Sequence, residues 1–270
     1  MLQRIITGAC IAVLMIALVV FSGTWVFPVV MVLLTLMGTL EMLGCVGTNK
    51  NYYIVAPAII AAVSSSVCAY FFGYGACVAI IMLYLMVLFA MCVFFDEKVK
   101  VDDVFISFAS TLYVMLCFAA FTALRKIEHI GLYLFLLVFI AAWITDTFAY
   151  FTGVFFGRHK LIPRISPKKT IEGSVGGIIF CVIAFWVYGA VLSTKFGVAV
   201  NMPLLLSVGF VLSIVSQIGD LIASVIKRSR GIKDYGKLFP GHGGVLDRFD
   251  SVMILSPFLL FVAENLKIFG

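Results

Sequence analysis

The chain has 270 residues, of which 63% are hydrophobic and only 12% charged, with a mean hydropathy of +1.18 and a formal net charge of +6. That composition excludes an ordinary water-soluble domain. The seven cysteines are odd in number and show neither CxxC nor Cys/His spacing, so they read as small hydrophobes rather than as zinc ligands or a disulfide framework.

A bilayer core takes about 20 apolar residues per helix, and runs of that kind fall at 4–22, 25–46, 54–72, 76–95, 104–124, 130–152, 174–193, 203–226 and 249–268. The first run follows Gln3 and Arg4 but has no small-x-small site leading into a polar region, so it is expected to remain as a helix. Strand alternation is absent, which argues against a barrel. The expected fold is all-α, a polytopic integral membrane helical bundle of about nine transmembrane helices whose backbone groups are satisfied within each span. No internal repeat stands out.

Orientation follows from the basic residues. With a cytosolic N-terminus, the inner side collects Arg4, Lys50, Lys98 and Lys100, five residues from Arg158 to Lys169, and six from Lys227 to Arg248. The outer side keeps Arg125, Lys126, Lys195 and Lys267. The expectation is therefore N-terminus in and C-terminus out. Attraction to anionic lipid would account for scattered basic loops, but here the charge is concentrated in two of them.

Acidic residues inside hydrocarbon are costly and need a partner or a task. Three qualify: Glu41, Asp146 and Asp220. Glu41 lies near the inner end of its span and is expected to reach the interface. Asp146 stands 12 residues before Arg158, so it is roughly 18 Å from the inner loop and too short to snorkel. Asp220 is seven residues before Lys227, roughly 10 Å deep. Ser213, Gln217, Asp220, Ser224 and Lys227 fall at helical spacing and draw a polar stripe, either an interhelical hydrogen-bond seam or the wall of a site.

These elements arrive at one membrane face together with RHKLIPRISPKKTIEG, KRSRGIKDYGKLFPGHGG and LDRFD. Asp247 and Asp250 are three apart in the last span, where they either offset the helix dipole or join a cation site. Several carboxylates close together repel unless a cation holds them, and Mg²⁺ suits that role because it takes carboxylates plus substrate phosphates. The basic loops point to phosphate: SPKKT sets two lysines beside a proline turn, and PGHGG is expected to offer exposed backbone N–H groups to an anion. GIKDYGKL imitates P-loop spacing but lacks the closing Ser/Thr and a preceding strand.

The stretch SVIKRSRGIKDYGKLFPGHGGVLDRFD, Ser224 to Asp250, resembles the signature of the phosphatidate cytidylyltransferases, also called CDP-diacylglycerol synthases. DTFAYFTGVFFGRHKL and SPKKTIEGSVGG resemble that family's upstream blocks, so the likeness covers roughly residues 143–251, with only hydropathy agreeing before that. Many relatives have an acidic residue where Ala223 stands, which shifts metal binding onto the remaining aspartates. The resemblance implies transfer of a cytidylyl group from CTP to phosphatidic acid, giving CDP-diacylglycerol and pyrophosphate. It implies Mg²⁺ as cofactor, with a second cation left open. Residues 1–125 would then be N-terminal transmembrane helices, and 126–270 a transmembrane catalytic region with cytosolic-face loops at 153–173 and 227–250.

On that resemblance Asp220 and Asp247 are the first metal ligands, with Asp146 and Asp250 as further ones. Phosphate contacts fall to Lys168, Lys169, Lys227, Arg228, Lys233 and Arg248, with Ser166, Gly243 and Gly244 beside them. His242 either contacts phosphate, moves a proton or orders its loop. Asp234 is a ligand or the partner of Lys233. Ser166 and Thr170 read as caps before ligands, and Glu172 as a partner of its lysine neighbours. The implied setting is the plasma membrane with the site facing the cytosol, with CTP, phosphatidic acid and membrane lipid as partners, no nucleic acid, and a homodimer left open. A CTP-dependent lipid-alcohol kinase and an ion or organic-anion transporter are the alternative readings.

Overall fold

The computed structural model describes Val13 and residues 15–270. The run at 4–22 lies largely outside the described residues, as does Arg4; residues 15–20 are helical and lead into a short 3₁₀ turn at Phe21–Gly23. Eight long helices follow: α1 (Val26–Val46), α2 (Tyr52–Phe72), α3 (Tyr74–Phe94), α4 (Val101–Lys126), α5 (Gly131–Phe156), α6 (Ile171–Phe196), α7 (Met202–Ser229) and α8 (Leu246–Asn265). Among the described residues seven of them, α1 to α7, are long and apolar enough to cross a bilayer. The eighth begins at Leu246, three residues before the expected span, and carries Asp247, Arg248 and Asp250 in its opening turns.

The charged ends are helical rather than looped. Lys227 and Arg228 belong to the last turn of α7, where cations complement the helix dipole. Glu172 lies in the first turn of α6. What the sequence presents as a long basic loop is therefore shorter, and it contains a hairpin. Strand β1 (Lys160–Ile162) pairs antiparallel with β2 (Ser166–Thr170), in the register Lys160 with Thr170 and Ile162 with Ser166. SPKKT is thus a strand and not a proline turn, and Pro167 sits where a two-stranded ribbon tolerates a missing N–H.

Contacts divide the chain into two units. One runs to Lys126 and also takes in Ser229–Phe249. Within it α1 packs on α2 and α4, and α3 packs on α2 and α4. Alanines at 58, 61, 62 and 69 let α2 approach its neighbours around buried Leu43, Ile81, Leu88 and Met115. Hydroxyl pairs add interhelical hydrogen bonds, as between Thr35 Oγ1 of α1 and Ser66 Oγ of α2 at 3.2 Å. No disulfide joins the six cysteines among the described residues.

The other unit comprises Ile127–Arg228 and Asp250–Gly270. Its tightest seam joins α5 and α6. A Cβ at Gly173 would fall 2.5 Å from the Ala149 carbonyl, and one at Gly177 would fall 2.9 Å from that of Thr145. The two backbones therefore touch without intervening side chains, the arrangement small residues permit inside membranes. Thr170 caps α6 by accepting the Gly173 N–H at 3.1 Å, as its sequence position predicts.

Gly177→Val is expected to force α5 and α6 apart at a cost of ~1–3 kcal/mol, read as a lower unfolding temperature in detergent. Thr170→Val removes the cap, worth about 1 kcal/mol, and should speed amide exchange at Gly173 roughly fivefold.

Candidate active site

A cavity of about 670 Å³ opens in the unit built from α5, the hairpin, α6 and α7. Asp146 and Tyr150 line it from α5, Lys160 from β1, Ser166, Lys168 and Lys169 from β2, Ser174 from α6, and Gln217 and Asp220 from α7. Its volume suits a medium-sized ligand. Three lysines and two carboxylates line it, so the cavity offers groups for both an anion and a cation.

The polar stripe of α7 explains how the walls are fixed. Thr145 Oγ1 on α5 donates to Ser213 Oγ at 2.9 Å. One turn on, Ser174 Oγ of α6 donates to Gln217 Oε1 at 2.5 Å, and Gln217 Nε2 donates to the Ser174 carbonyl at 3.3 Å. Next in line, Asp220 Oδ2 meets Lys169 Nζ of β2 at 2.5 Å. The stripe is thus a hydrogen-bond seam along its first half and a cavity wall toward its C-terminal end. With side chains 26% and 28% exposed, Lys169 and Asp220 are shielded enough for the pair to matter beyond an ordinary surface contact.

Asp146 accepts the Ser251 hydroxyl at 3.2 Å. Ser251 follows Asp250, whose Oδ1 accepts the Ser251 N–H at 2.9 Å. Gly219 brings α7 close to the same place, since a Cβ there would lie 3.2 Å from the Asp250 carbonyl. The charges of Asp146, Asp220 and Lys227 all act on Asp250. Three of the four expected aspartates, Asp146, Asp220 and Asp250, are therefore gathered in this unit. Among the described residues no group of three or more His, Cys, Asp or Glu side chains is arranged to hold a metal unaided. Mg²⁺ does not require one, because it commonly binds one or two carboxylates and completes its shell with water and phosphate oxygens. Hard oxygen donors facing a lysine-lined cavity fit that ion.

Glu172 departs from expectation. It does not pair with the lysines beside it: its carboxylate meets His159 Nδ1 at 2.7 Å and accepts the backbone N–H groups of Arg158 and His159 at 3.1 and 3.2 Å. It ties the start of the hairpin to α6. Arg228 ends α7 exposed, and Lys168 is exposed at the cavity rim.

Asp247, His242, Gly243, Gly244, Lys233, Asp234 and Arg248 lie in the other unit. Asp247 is buried, and its Oδ2 accepts the N–H groups of Tyr235 at 2.8 Å and Gly244 at 2.9 Å. The Gly244 N–H thus points inward and is not the exposed donor expected of PGHGG. The His242 N–H is also used, donating to the Phe239 carbonyl at 2.8 Å. Gly243 has φ +82°, a conformation that suits glycine. Lys233 and Asp234 are exposed. Glu41 does not reach out to the interface: Oε1 accepts the Val245 N–H and Oε2 the Leu246 N–H, each at 2.9 Å. Sequence reasoning misses this contact, whose only trace is an acid in an apolar span.

The sequence model of the cytidylyltransferase family matches residues 2–266. The chain belongs to the cytidylyltransferase family. The match takes in the N-terminal helices as well, well beyond residues 143–251. The chain is 32% identical over 273 residues to the phosphatidate cytidylyltransferase of Bacillus subtilis (strain 168), covering 97% of each chain. It is 46% identical over 150 residues to that of Staphylococcus haemolyticus (strain JCSC1435), covering 56% of this chain and 55% of the relative. With that of Staphylococcus aureus (strain COL) the identity is 47% over 131 residues, 48% of each chain. Within this cytidylyltransferase, Ala223 is buried in α7 and supplies no carboxylate.

Replacing Gln217 with Leu removes both bonds to Ser174 and leaves that half-buried hydroxyl without them. The expected cost is ~1–3 kcal/mol, measurable as a lower unfolding temperature, with Ser174→Ala less severe because it also removes the donor.

Proposed function

We infer that the protein transfers the cytidylyl group of CTP to phosphatidate, releasing pyrophosphate and forming CDP-diacylglycerol. The observation that carries this reading is the cavity lined by Asp146, Asp220, Lys160, Lys168 and Lys169, in which Asp220 meets Lys169. It offers an anion and its counter-cation adjoining places, and the full-length likeness to a phosphatidate cytidylyltransferase says which anions they are. The protein is an integral membrane nucleotidyltransferase.

In the reaction an oxygen of the phosphatidate phosphate attacks the α-phosphorus of CTP, the new P–O bond forms, and the bond to the β-phosphate oxygen breaks as pyrophosphate departs. Positioning and charge neutralisation carry most of such a transfer. Lys168 and Lys169 hold phosphate oxygens in the cavity, Ser166 donates to them, and Lys169 leaves Asp220 as it does so. Lys227 and Arg228 supply further positive charge to the phosphates, and for Lys233, Arg248 and His242 a phosphate contact is what the resemblance to the family signature implies. Asp146, Asp220 and Asp250 would hold Mg²⁺, and Asp247 is the fourth carboxylate of this reading, with one oxygen committed to its loop. Mg²⁺, when bound, offsets the charge on the triphosphate and on the departing pyrophosphate.

The N-terminus is placed in the cytosol, the C-terminus outside, with nine crossings of the plasma membrane and the site on the cytosolic side. Fifteen of the nineteen basic residues support this orientation. Pairings between segments assigned to one face support the alternation: Asn51 Nδ2 donates to the Lys98 carbonyl at 2.7 Å, and Arg125 Nε to Ser22 Oγ at 2.8 Å. In the other unit the Asn201 N–H donates to the Ile268 carbonyl at 3.0 Å.

With labelled CTP and phosphatidate in detergent, wild-type protein is expected to form lipid-linked nucleotide and pyrophosphate only when Mg²⁺ is supplied. Asp220→Ala and Asp247→Ala should each lose at least ~100-fold in rate, and release of CDP in place of pyrophosphate would point to a kinase. For topology, Arg164→Cys and Lys195→Cys, made separately in a cysteine-free protein, should respond oppositely to a membrane-impermeant thiol reagent in intact cells. Only Lys195→Cys is expected to label.

A further inference from the structure

We propose that Glu41 is a positioning residue, a carboxylate on a membrane helix that holds the glycine loop and the start of α8 in the shape that receives the nucleotide's phosphates. The proposal rests on the functional reading above and adds to it a residue outside the signature.

Four observations carry it. The bonds from Val245 and Leu246 to the two Glu41 oxygens span 204 and 205 residues of sequence, so they fix a distant loop against α1. Helices begin with backbone N–H groups that lack intrahelical partners, and a carboxylate is the acceptor their dipole favours. Here the acceptor comes from another helix, because the residue before α8 is Val245, which has no capping side chain.

The loop is also shaped around Glu41. A Cβ at Gly236 or at Gly244 would overlap the Glu41 carboxylate. These glycines are therefore needed for close approach to an acid, a reason distinct from offering N–H groups to an anion.

Asp247 holds the other end of the same segment. Its Oδ2 draws in the N–H groups of Tyr235 and Gly244, while Glu41 takes those of Val245 and Leu246. Between the two carboxylates the backbone closes on itself, Phe239 N–H donating to the Gly243 carbonyl at 2.8 Å and His242 N–H to that of Phe239.

Finally, both Glu41 oxygens are engaged by the protein's own amides. That geometry suits holding a loop and leaves the contact with phosphate to the residues the loop displays, His242 and Arg248 among them. Glutamine at this position keeps one acceptor but turns an NH₂ toward the second amide, so the clamp is half lost; leucine loses it entirely.

The test uses the full-length protein in detergent. Amide exchange is first measured without any nucleotide: Glu41→Leu is expected to speed exchange at Val245 and Leu246 at least about tenfold, with Glu41→Gln in between and α2, α3 and the hairpin unchanged. Steady-state kinetics then separate the parameters. The KM for CTP should rise at least about tenfold in Glu41→Leu and less in Glu41→Gln. The KM for phosphatidate should stay at the wild-type value, and kcat at saturating CTP should fall less than about threefold. Gly244→Ala, which keeps the acid but crowds it, should give the same pattern and serves where Glu41→Leu does not fold.

Wild-type exchange at Val245 and Leu246, or a wild-type KM for CTP in folded Glu41→Leu, would overturn the proposal. So would a loss spread equally over both substrates and kcat with faster exchange along the whole chain, which marks a merely structural role. A wild-type protein inert toward CTP would overturn the functional reading and the nucleotide role with it, whereas the exchange result would still report on the clamp.

Discussion

A carboxylate placed among apolar helices must find a donor, and that constraint organises every polar feature of this protein. Asp220 takes an ammonium, Asp146 a hydroxyl, and Asp247 and Glu41 pairs of backbone amides. Each donor belongs to a segment that hydropathy alone would leave unattached: the hairpin, the α8 start, the glycine loop. The acids therefore do structural work before any substrate arrives, pinning polar segments to a helical framework that has no water to solvate them.

The choice of donor divides these acids by task. Backbone amides are fixed in place and cannot be exchanged for another partner without refolding a turn, so Glu41 and one oxygen of Asp247 are committed. An ammonium on a four-carbon stem or a rotating hydroxyl can be given up. Asp220 and Asp146 are thus the carboxylates able to change partner, and they are the two that line the cavity.

Much of this was legible in the sequence where periodicity speaks. The spacing of Ser213, Gln217, Asp220 and Lys227 reports one face of α7 because a helix repeats every ~3.6 residues, and the structure finds a partner from a different element at each of the first three. Apolar run length likewise marks α1 to α7. The helix ends read short because hydropathy falls where Lys227, Arg228 and Glu172 enter, although those residues suit helix termini. The hairpin was illegible: three- and five-residue strands leave no alternation to detect, and Pro167 points to a turn. The Glu41 clamp was illegible for a different reason, since no local pattern connects residues more than 200 positions apart.

The α5–α6 seam carries a consequence for how such an enzyme could change over evolutionary time. One side of the cavity is walled by bare polypeptide, with Gly153 and Gly173 where other pockets have side chains. Residues that are absent cannot be trimmed, and enlarging them would pry the helices apart, so this wall is closed to gradual remodelling. Selection for a different lipid phosphate or nucleotide would have to work through the hairpin and Tyr150, which makes those positions the natural place to look for divergence among lineages.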